Sequence, residues 1–475
     1  MNIFGGMRNY KTYEPTQAFL LPPNPRDWLE EGHLAWFVMD VVATLDLSAI
    51  YAVYESGDGR GQPPYHPLMM TSLLIYGYCT GKVSSRRLED ATYEEVPYRV
   101  ITGGQHPDHD SIADFRQRHL ESLSNLFKQV LELCRKAGLV KLGHVALDGS
   151  KVKANASKHK AMSYGRMSET EKRLEEEVKK LLEEAARVDA EEDAKYGKGK
   201  RKDELPEDLK RRESRLKKIR EAKAELEAEA RAEAEGKAAA AREKLAERER
   251  KEAETGKKTP GKKPEVPDVD TAKPEEKAQK NFTDPESRIM KDGATKEFIQ
   301  GYSGQAAVDS TAQVIVGCFV TQETNDKQQM IPLLEKVKEN TGKLPDKVSA
   351  DSGYFSEKNL TDEMVKDVDL YVPPDRQKHG ATDDAENDGV LDDTVKGRMK
   401  RKLKTAEGKA VYKMRKAIVE PVFGQTKEAR GFRRFSFRGL AKVSAEWDVV
   451  CLTHNLLKLF RSGWRPGWPA VPVPA

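Results

Sequence analysis

Apolar residues recur along this chain at one of two periods, and where the recurrence fades the composition changes with it. From Pro25, the residues Trp28, Leu29, Leu34, Phe37, Val38, Val41 and Leu45 follow near-helical spacing. Asp110-Ser111-Ile112-Ala113-Asp114 predicts a helix start, with Ser111 and Asp114 spaced near a capping box. The helix after it carries Ile112, Phe115, Leu123, Phe127, Val130, Leu131 and Cys134, and Gly138 stops it. The chain up to about residue 142 is therefore expected to be mostly helical. Val145-Ala146-Leu147 then predicts a short buried strand that ends on Asp148, with Gly149 and a lysine-rich tail behind it.

Between about 166 and 256 nearly every residue is Glu, Lys, Arg or Ala. Leu174, Val178, Leu181, Leu182, Ala185 and Val188 form one narrow apolar stripe, and Leu209, Leu216, Ile219, Leu226 and Ala230 a second. Lys198-Gly-Lys-Arg-Lys and Pro206 separate them, which predicts a charged helical hairpin or coiled coil followed by a Pro/Lys linker. From 297 the two-residue period returns. Phe298 to Val308 and Val314 to Val320 alternate like paired strands around an Asp309-Ser310-Thr311 turn. Asn325-Asp326 is expected to cap a helix with Met330, Leu333, Leu334 and Val337, ended by Thr341-Gly342. Lys347 to Ala350 is a further strand, and it too ends on a carboxylate, Asp351. A short helix, a strand near 370–372, a loop over 375–400 and helices over about 408–429 and 441–461 complete the pattern. The order predicts an α/β fold, a mixed sheet flanked by helices and interrupted after its first strand by the charged hairpin.

Of the 475 residues, 37% are hydrophobic and 34% charged, so part of the chain is expected to lie outside a compact core. Net charge is only +4, from 82 basic and 78 acidic residues, so a polyanionic partner has to be argued from local patches. Cys79, Cys134, Cys318 and Cys451 are far apart, which excludes a disulfide scaffold and a cysteine zinc site. The N-terminus lacks an apolar signal core, and the longest apolar run, 68–78, is too short for a bilayer. A cytoplasmic location is expected.

Two strands thus end in Asp-Gly or Asp-Ser-Gly, and a predicted helix carries Glu420. Carboxylates on strand ends with glycine beside them suit a hard divalent cation that also holds a phosphate. Three from separate elements would hold two Mg²⁺ or Mn²⁺ ions about 3.5–4 Å apart, the arrangement that activates a phosphodiester. Taken singly, Asp148 and Asp351 also fit plain turn formers.

The residues around them carry a likeness. Leu147-Asp148-Gly149-Ser150-Lys151-Val152-Lys153-Ala154-Asn155, then Ala350-Asp351-Ser352-Gly353-Tyr354-Phe355, then Val419-Glu420-Pro421-Val422-Phe423-Gly424 closely resemble bacterial insertion-sequence transposases. The likeness is to the DDE, RNase H-like superfamily, and within it to the eleven-eighty-two group. The N-terminal helical region and the closing stretch FRGLAKVSAEWDVVCLTHNLLKL resemble that family too. The resemblance implies that Asp148, Asp351 and Glu420 are the catalytic, metal-binding triad, with Asp148 the bridging ligand. Related transposases also carry a tyrosine, an arginine and a lysine at set distances from the glutamate. Tyr412 and Lys427 match, but one extra residue leaves Arg415 or Lys416 at the arginine position. At about 100° per residue Lys416 shares a face with Tyr412, Glu420 and Lys427, and Arg415 lies about a quarter-turn away.

Cations predict where DNA is held. The segment 399–442 is basic, with Arg430, Arg433, Arg434 and Arg438 interleaved with Phe432, Phe435 and Phe437. The arginines are assigned to DNA and the phenylalanines to a packed face. Lys151 and Lys153 are expected to face the nucleic-acid backbone. Lys82 to Asp90, after Gly81, has the look of a helix-turn-helix in which Arg86 and Arg87 meet DNA. His106, His109 and Asp110 superficially suggest a metal site, but a loop before a helix explains them better. The expected organisation is an N-terminal DNA-end-binding domain over 1–142, a catalytic domain in two parts, 143–160 and 286–462, the insertion between them at 161–285, and a tail at 463–475. The expected function is metal-dependent cleavage at element ends and transfer of the freed 3′-OH into target double-stranded DNA, by at least a dimer. The rivals are a nuclease of the same fold and a catalytically silent DNA-binding or coiled-coil protein.

Overall fold

The computed structural model describes residues 24, 27–55, 63–196, 207–256, 261–293, 295–375 and 394–467, with only the backbone of 185–186, 188–196, 207–209 and 255. Pro25, the 198–202 cations, Pro206 and most of the expected 375–400 loop lie outside the described residues, as do the side chains of Ala185, Val188 and Leu209.

The first part of the chain is helical, as its periodicity predicts: α1 (Leu34–Thr44), α2 (Ser48–Glu55), α3 (Pro67–Thr80), α4 (Ser85–Glu94), α5 (Val96–Ile101), α6 (His109–Arg118) and α7 (Leu120–Lys136). Phe37, Val38 and Val41 face the core, while Trp28 and Leu29 precede the helix. Two details differ from expectation. Asp108, not Ser111, caps α6, accepting from the Ser111 amide at 2.8 Å. The single predicted helix is broken at His119, whose ring packs on Phe115 at 4.6 Å and Tyr54 at 5.3 Å. Gly138 ends α7 at φ 76°, a left-handed stop that glycine permits.

The main sheet is built from β1 (His144–Lys153), β4 (Arg288–Lys291), β5 (Phe298–Asp309), β6 (Ile315–Thr321), β7 (Lys347–Ala350) and β8 (Asp369–Tyr371). Its order is β5-β1-β7-β8, with β4 and β6 sharing the outer edge of β5. A small separate ribbon pairs β2 (Ala161–Ser163) with β3 (Gln279–Asn281). Between β2 and β3 runs the predicted hairpin, α8 (Tyr164–Tyr196) and α9 (Glu207–Thr255). Leu174 of the first stripe and Leu216, Ile219 and Leu226 of the second bury one another together with Met167 and Ala222. Leu182, in contrast, is exposed.

After the sheet's β6 come α10 (Met330–Thr341), α11 (Glu357–Leu360), α12 (Val395–Lys404), α13 (Ala406–Gly424) and α14 (Leu440–Arg461). The first part of α12, up to residue 400, was expected to be loop. Its mostly basic sequence shows little apolar period, yet Thr394 caps it, accepting from the Gly397 amide at 3.1 Å. Helix α14 packs on α7, α3 and β6 at once. Its Trp447 indole lies flat on the sheet, where a Cβ on Gly304 would stand 2.9 Å from the ring. The N-terminal helices and the sheet consequently share one continuous hydrophobic core.

Candidate active site

Strand β1 does not stop at Asp148, as its apolar run suggested. It pairs antiparallel with β5 through Lys153↔Gly301, whereas its parallel partner β7 stops at Leu147↔Ala350. Asp148 and Asp351 are each the next residue after that last pair. Two carboxylates from strands 200 residues apart in sequence are thereby set side by side at one end of the β1–β7 ladder. Each is held by a local amide: Gly149 N–H donates to Asp148 Oδ1 at 2.8 Å and Gly353 N–H to Asp351 Oδ1 at 2.8 Å.

Helix α13 packs across β1, β5, β7 and β8. From it the Arg415 guanidinium, buried, reaches Asp148 Oδ2 at 3.4 Å and lies 5.9 Å from the centre of the Tyr412 ring. Arg415, not Lys416, therefore meets the aspartates; Lys416 is exposed. The face containing Lys416 looked better by spacing because it kept Glu420 in line, but the helix turns Val419 inward, fully buried, and leaves Glu420 exposed. Pro421 removes the amide bond to Ala417, and the helix continues because Gln313 Nε2 donates to the Ala417 carbonyl at 2.8 Å.

Burial pushes the Asp148 carboxyl up to about 7, with Arg415 opposing and the charges of Asp351 and Asp326 adding to the rise. Burial raises Asp351 as well, opposed by the Gly353 amide and Arg415 and helped by Asp326. Tyr412 is raised by its own burial and feels Arg415, Asp351 and Asp148.

Asp326, expected to cap α10, is a charged neighbour of the two strand-end aspartates that spacing missed. Gln329 stands at the cap position of α10, and only the Asp326 carbonyl serves the turn before it, accepting from Gln329 N at 3.0 Å. The Asp326 side chain turns back to the sheet, where Gln305 Nε2 donates to its Oδ1 at 2.7 Å and Lys151 Nζ lies 3.5 Å away. Gln305 also accepts from the buried Tyr354 hydroxyl. No periodic signal separates such an aspartate from a cap. Only its distance from the next apolar residue, Met330, argued against one.

The expected DNA residues divide into three groups. Arg430 is corrected: it is buried, with Nη1 donating to the Val450 carbonyl at 3.1 Å and to Thr453 Oγ1 at 2.8 Å and Nη2 to Thr426 Oγ1 at 2.8 Å, so it braces α14. Lys151 is turned inward, its Nζ donating to Ser303 Oγ at 2.9 Å, because β1 continues and puts it on the inner side. Lys427 is likewise half-buried and staples β1 through the Lys151 carbonyl at 2.7 Å. Lys153, Arg434 and Arg438 instead line one cleft of 520 Å³ beside Asn155, Lys158 and Lys160. The segment after α13 closes this cleft: Lys153 N–H donates to the Arg433 carbonyl at 3.1 Å, and Phe435 N–H to the Lys153 carbonyl at 2.9 Å. Arg433 is exposed and paired with Glu428. Arg86 and Arg87 are exposed on the first turn of α4, behind the Gly81 turn. Phe432 and Phe435 are buried against Trp447, the packed face expected of them. His106 stacks on Tyr93 at 3.8 Å and His109 Nδ1 meets Glu89 at 2.7 Å, in the loop and first turn of α6.

The donor set suits a hard divalent cation. Mg²⁺ is commonly held by one or two carboxylates, with phosphate and water completing the shell, and Asp148 and Asp351, side by side at the end of the β1–β7 ladder, are such a pair. Among the described residues no three His, Cys, Asp or Glu side chains gather closely enough to hold an ion by themselves. No single described helix is long and apolar enough to cross a membrane.

Two family models match the chain: Transposase DDE domain over residues 258–456, and Transposase domain (DUF772) over residues 23–118. The first contains Asp351 and Glu420 but begins after Asp148, beyond the hairpin; the second covers α1 to α6. Neither the curated proteins nor the solved structures give a match. Together the two models cover more than half of the chain, in the order the motifs require, on a mixed α/β sheet of the RNase H-like kind. The chain belongs to the DDE-type insertion-sequence transposases.

Proposed function

We propose that this transposase cuts DNA at the ends of its element and joins the freed 3′-OH to target DNA, using the end of the β1–β7 ladder as its active site. The observation that carries this is the register that sets Asp148 beside Asp351 with Arg415 between sheet and helix. In this reading Asp148 and Asp351 would hold two Mg²⁺ or Mn²⁺ ions, and Glu420 would supply the third carboxylate from α13. Divalent ions bound there supply Lewis-acid activation of the phosphodiester and of the attacking oxygen.

The chain's own groups do the positioning. Arg415 neutralises Asp148 in the free protein and is placed to take a phosphate oxygen once cations relieve it of that role, with Tyr412 limiting its sway. Exposed Lys416 and Arg433, and the cleft cations Lys153, Arg434 and Arg438, hold the backbone of the bound strand. The cleft begins five residues along β1 from Asp148, about 17 Å away at strand rise. Arg86 and Arg87 on α4 suit contact with element-end duplex, making the N-terminal helices the end-binding region. Both ends react together, so a dimer on DNA is the expected form, with the α8–α9 hairpin as its pairing device.

The test is incubation with element-end DNA, a target plasmid and Mg²⁺. Joined products are expected from the wild type. Asp148→Asn, Asp351→Asn and Glu420→Gln should each abolish cleavage while band-shift affinity for end DNA persists. Nicked ends without joined products would favour a nuclease of the same fold, and unaltered processing in all three variants would end the enzymatic reading.

A further inference from the structure

We infer that the cationic cleft at the far end of β1 takes an unpaired stretch of DNA, with one base stacked on the exposed Phe298. That the partner is DNA rests on the proposed function; the form of DNA the cleft holds goes beyond it.

Phe298 opens β5 opposite Lys291 of β4 and is 61% exposed. A lone exposed aromatic is ordinary on a protein surface. This one lines the same cleft as Lys153, Lys158, Lys160, Arg434 and Arg438, against a single acid, Glu297. Among the described residues none of those five cations makes an ion pair, so their charge is available to phosphates. Cations along a groove with an aromatic face beside them are the pairing that holds a single strand, the charges on its backbone and the ring on a base.

The cleft is built before any strand arrives. Asn281, fully buried, donates from Nδ2 to the Ser157 carbonyl at 2.8 Å, and Phe282 N–H donates to the Lys160 carbonyl at 3.1 Å, so the Lys158–Lys160 turn is pinned at both ends. Arg438 Nε donates to the Asn155 carbonyl at 2.9 Å, and Asn155 Nδ2 to the Ser436 carbonyl at 2.8 Å. Gln300, two residues along β5 and so on the same face as Phe298, also lines the cleft and is 5% exposed. Its Nε2 donates to Ser287 Oγ at 2.7 Å, yet its Oε1 has no hydrogen-bond partner. A buried acceptor left unmet suits an incoming N–H, which every DNA base presents on its pairing edge once unpaired.

Size and reach favour a single strand over a duplex. Pockets of about 300–1,000 Å³ enclose one small molecule, so a cleft of 520 Å³ admits about one nucleotide and no duplex. Paired bases turn only their edges into the grooves, and a ring face is free to stack where the partner strand has left. Lys153 stands about 17 Å along β1 from Asp148 at strand rise, a span of about five nucleotides at 3.4 Å each. A strand with its phosphodiester at the ladder end therefore reaches the cleft.

The experiment is fluorescence anisotropy on the full-length protein in chelator, where the proposed chemistry is off. The probes are a short labelled single strand of mixed sequence and the same sequence as duplex. The wild type should bind the single strand. Phe298→Ala should lower that affinity at least about fivefold, the low end of one base–aromatic stack, with duplex affinity and the thermal melt unchanged. Phe298→Trp should keep it. Lys158→Gln should weaken single-strand binding and reduce the slope of log affinity against log salt by about 0.7. Single-strand affinity unchanged in Phe298→Ala overturns the inference, as does a wild type that leaves the single strand unbound. Equal losses on single strand and duplex overturn it too, because Phe298 would then be a wedge in paired DNA. Asp148→Asn separates this reading from the proposed active site: it should bind the single strand in chelator like the wild type. Cleavage surviving in that variant with Mg²⁺ would count against the active site alone.

Discussion

At the scale of single residues, the site is governed by how much charge the end of one strand ladder holds in a half-buried place. Asp148, pushed up to about 7 mainly by burial, keeps a proton through mildly acid conditions. A cation must displace that proton, so Mn²⁺ affinity should fall as pH drops through 7, by up to about tenfold per unit, and level off above it. Titrations at pH 6, 7 and 8 check this, and equal affinity at pH 6 and 8 would contradict it. Arg415→Gln removes the cation nearest Asp148 and should lower the unfolding free energy read from urea denaturation by about 1–3 kcal/mol, less than for a fully buried pair because the Asp148 side chain is 22% exposed. Added Mg²⁺ should recover more stability in that variant than in the wild type. Asp148 and Asp351 were legible in the sequence because each follows an apolar run and has a glycine one or two residues on. Asp326 was not: an aspartate ahead of a helix looks like a cap until the sheet shows where its side chain turns.

Among the elements, the packing of helix on sheet sets the phase that spacing could not. Helix α13 was expected, and its bounds are nearly those predicted, but which side faces the aspartates depends on Ile418, Val419, Val422 and Phe423 finding the core. Those apolar contacts outweigh any preference of Glu420, and they bring Arg415 inward. The same contest explains β1. Its apolar run ends at Leu147, yet β5 supplies partners as far as Lys153, so polar residues stay in strand conformation. Lys151 faces inward for that reason. Gly304 tests the helix-on-sheet contact directly. Gly304→Ala would drive a methyl into the Trp447 indole, its carbon only 2.9 Å from the nearest ring atoms. Overpacking of this kind costs about 1–3 kcal/mol. A lower denaturation midpoint with altered tryptophan fluorescence is the expected result, and an unchanged midpoint would show that α14 can shift.

For the whole molecule, the hairpin is the one large part attached by a narrow base. The β2–β3 ribbon brings Ala161 opposite Asn281, so the ends of the insertion meet, and Lys280 and Arg288 pair with Glu229 to fix its root. Replacing residues 164–277 by a short Gly/Ser link should leave the shared core folded and single-end nicking intact. Paired-end joining should be lost. Analytical ultracentrifugation on end DNA reads the assembly state, and a deletion that still joins paired ends would remove the hairpin from that role. The N-terminal helices are different in kind, since α14 fastens α3 and α7 to β6 in one core.

The sequence by itself determined the long helices, five of the main sheet's six strands, the charged hairpin, the two strand-end aspartates and the family, because each is written in local period or in a short contiguous motif. Only the tertiary structure decided that the Asp326 side chain turns back to Gln305 and Lys151, that Arg415 and not Lys416 meets Asp148, and that Arg430 and Lys151 are internal. Those outcomes depend on strand register and on the rotation of a helix against the sheet. Both are fixed by packing between residues far apart in the chain, where no local pattern records them.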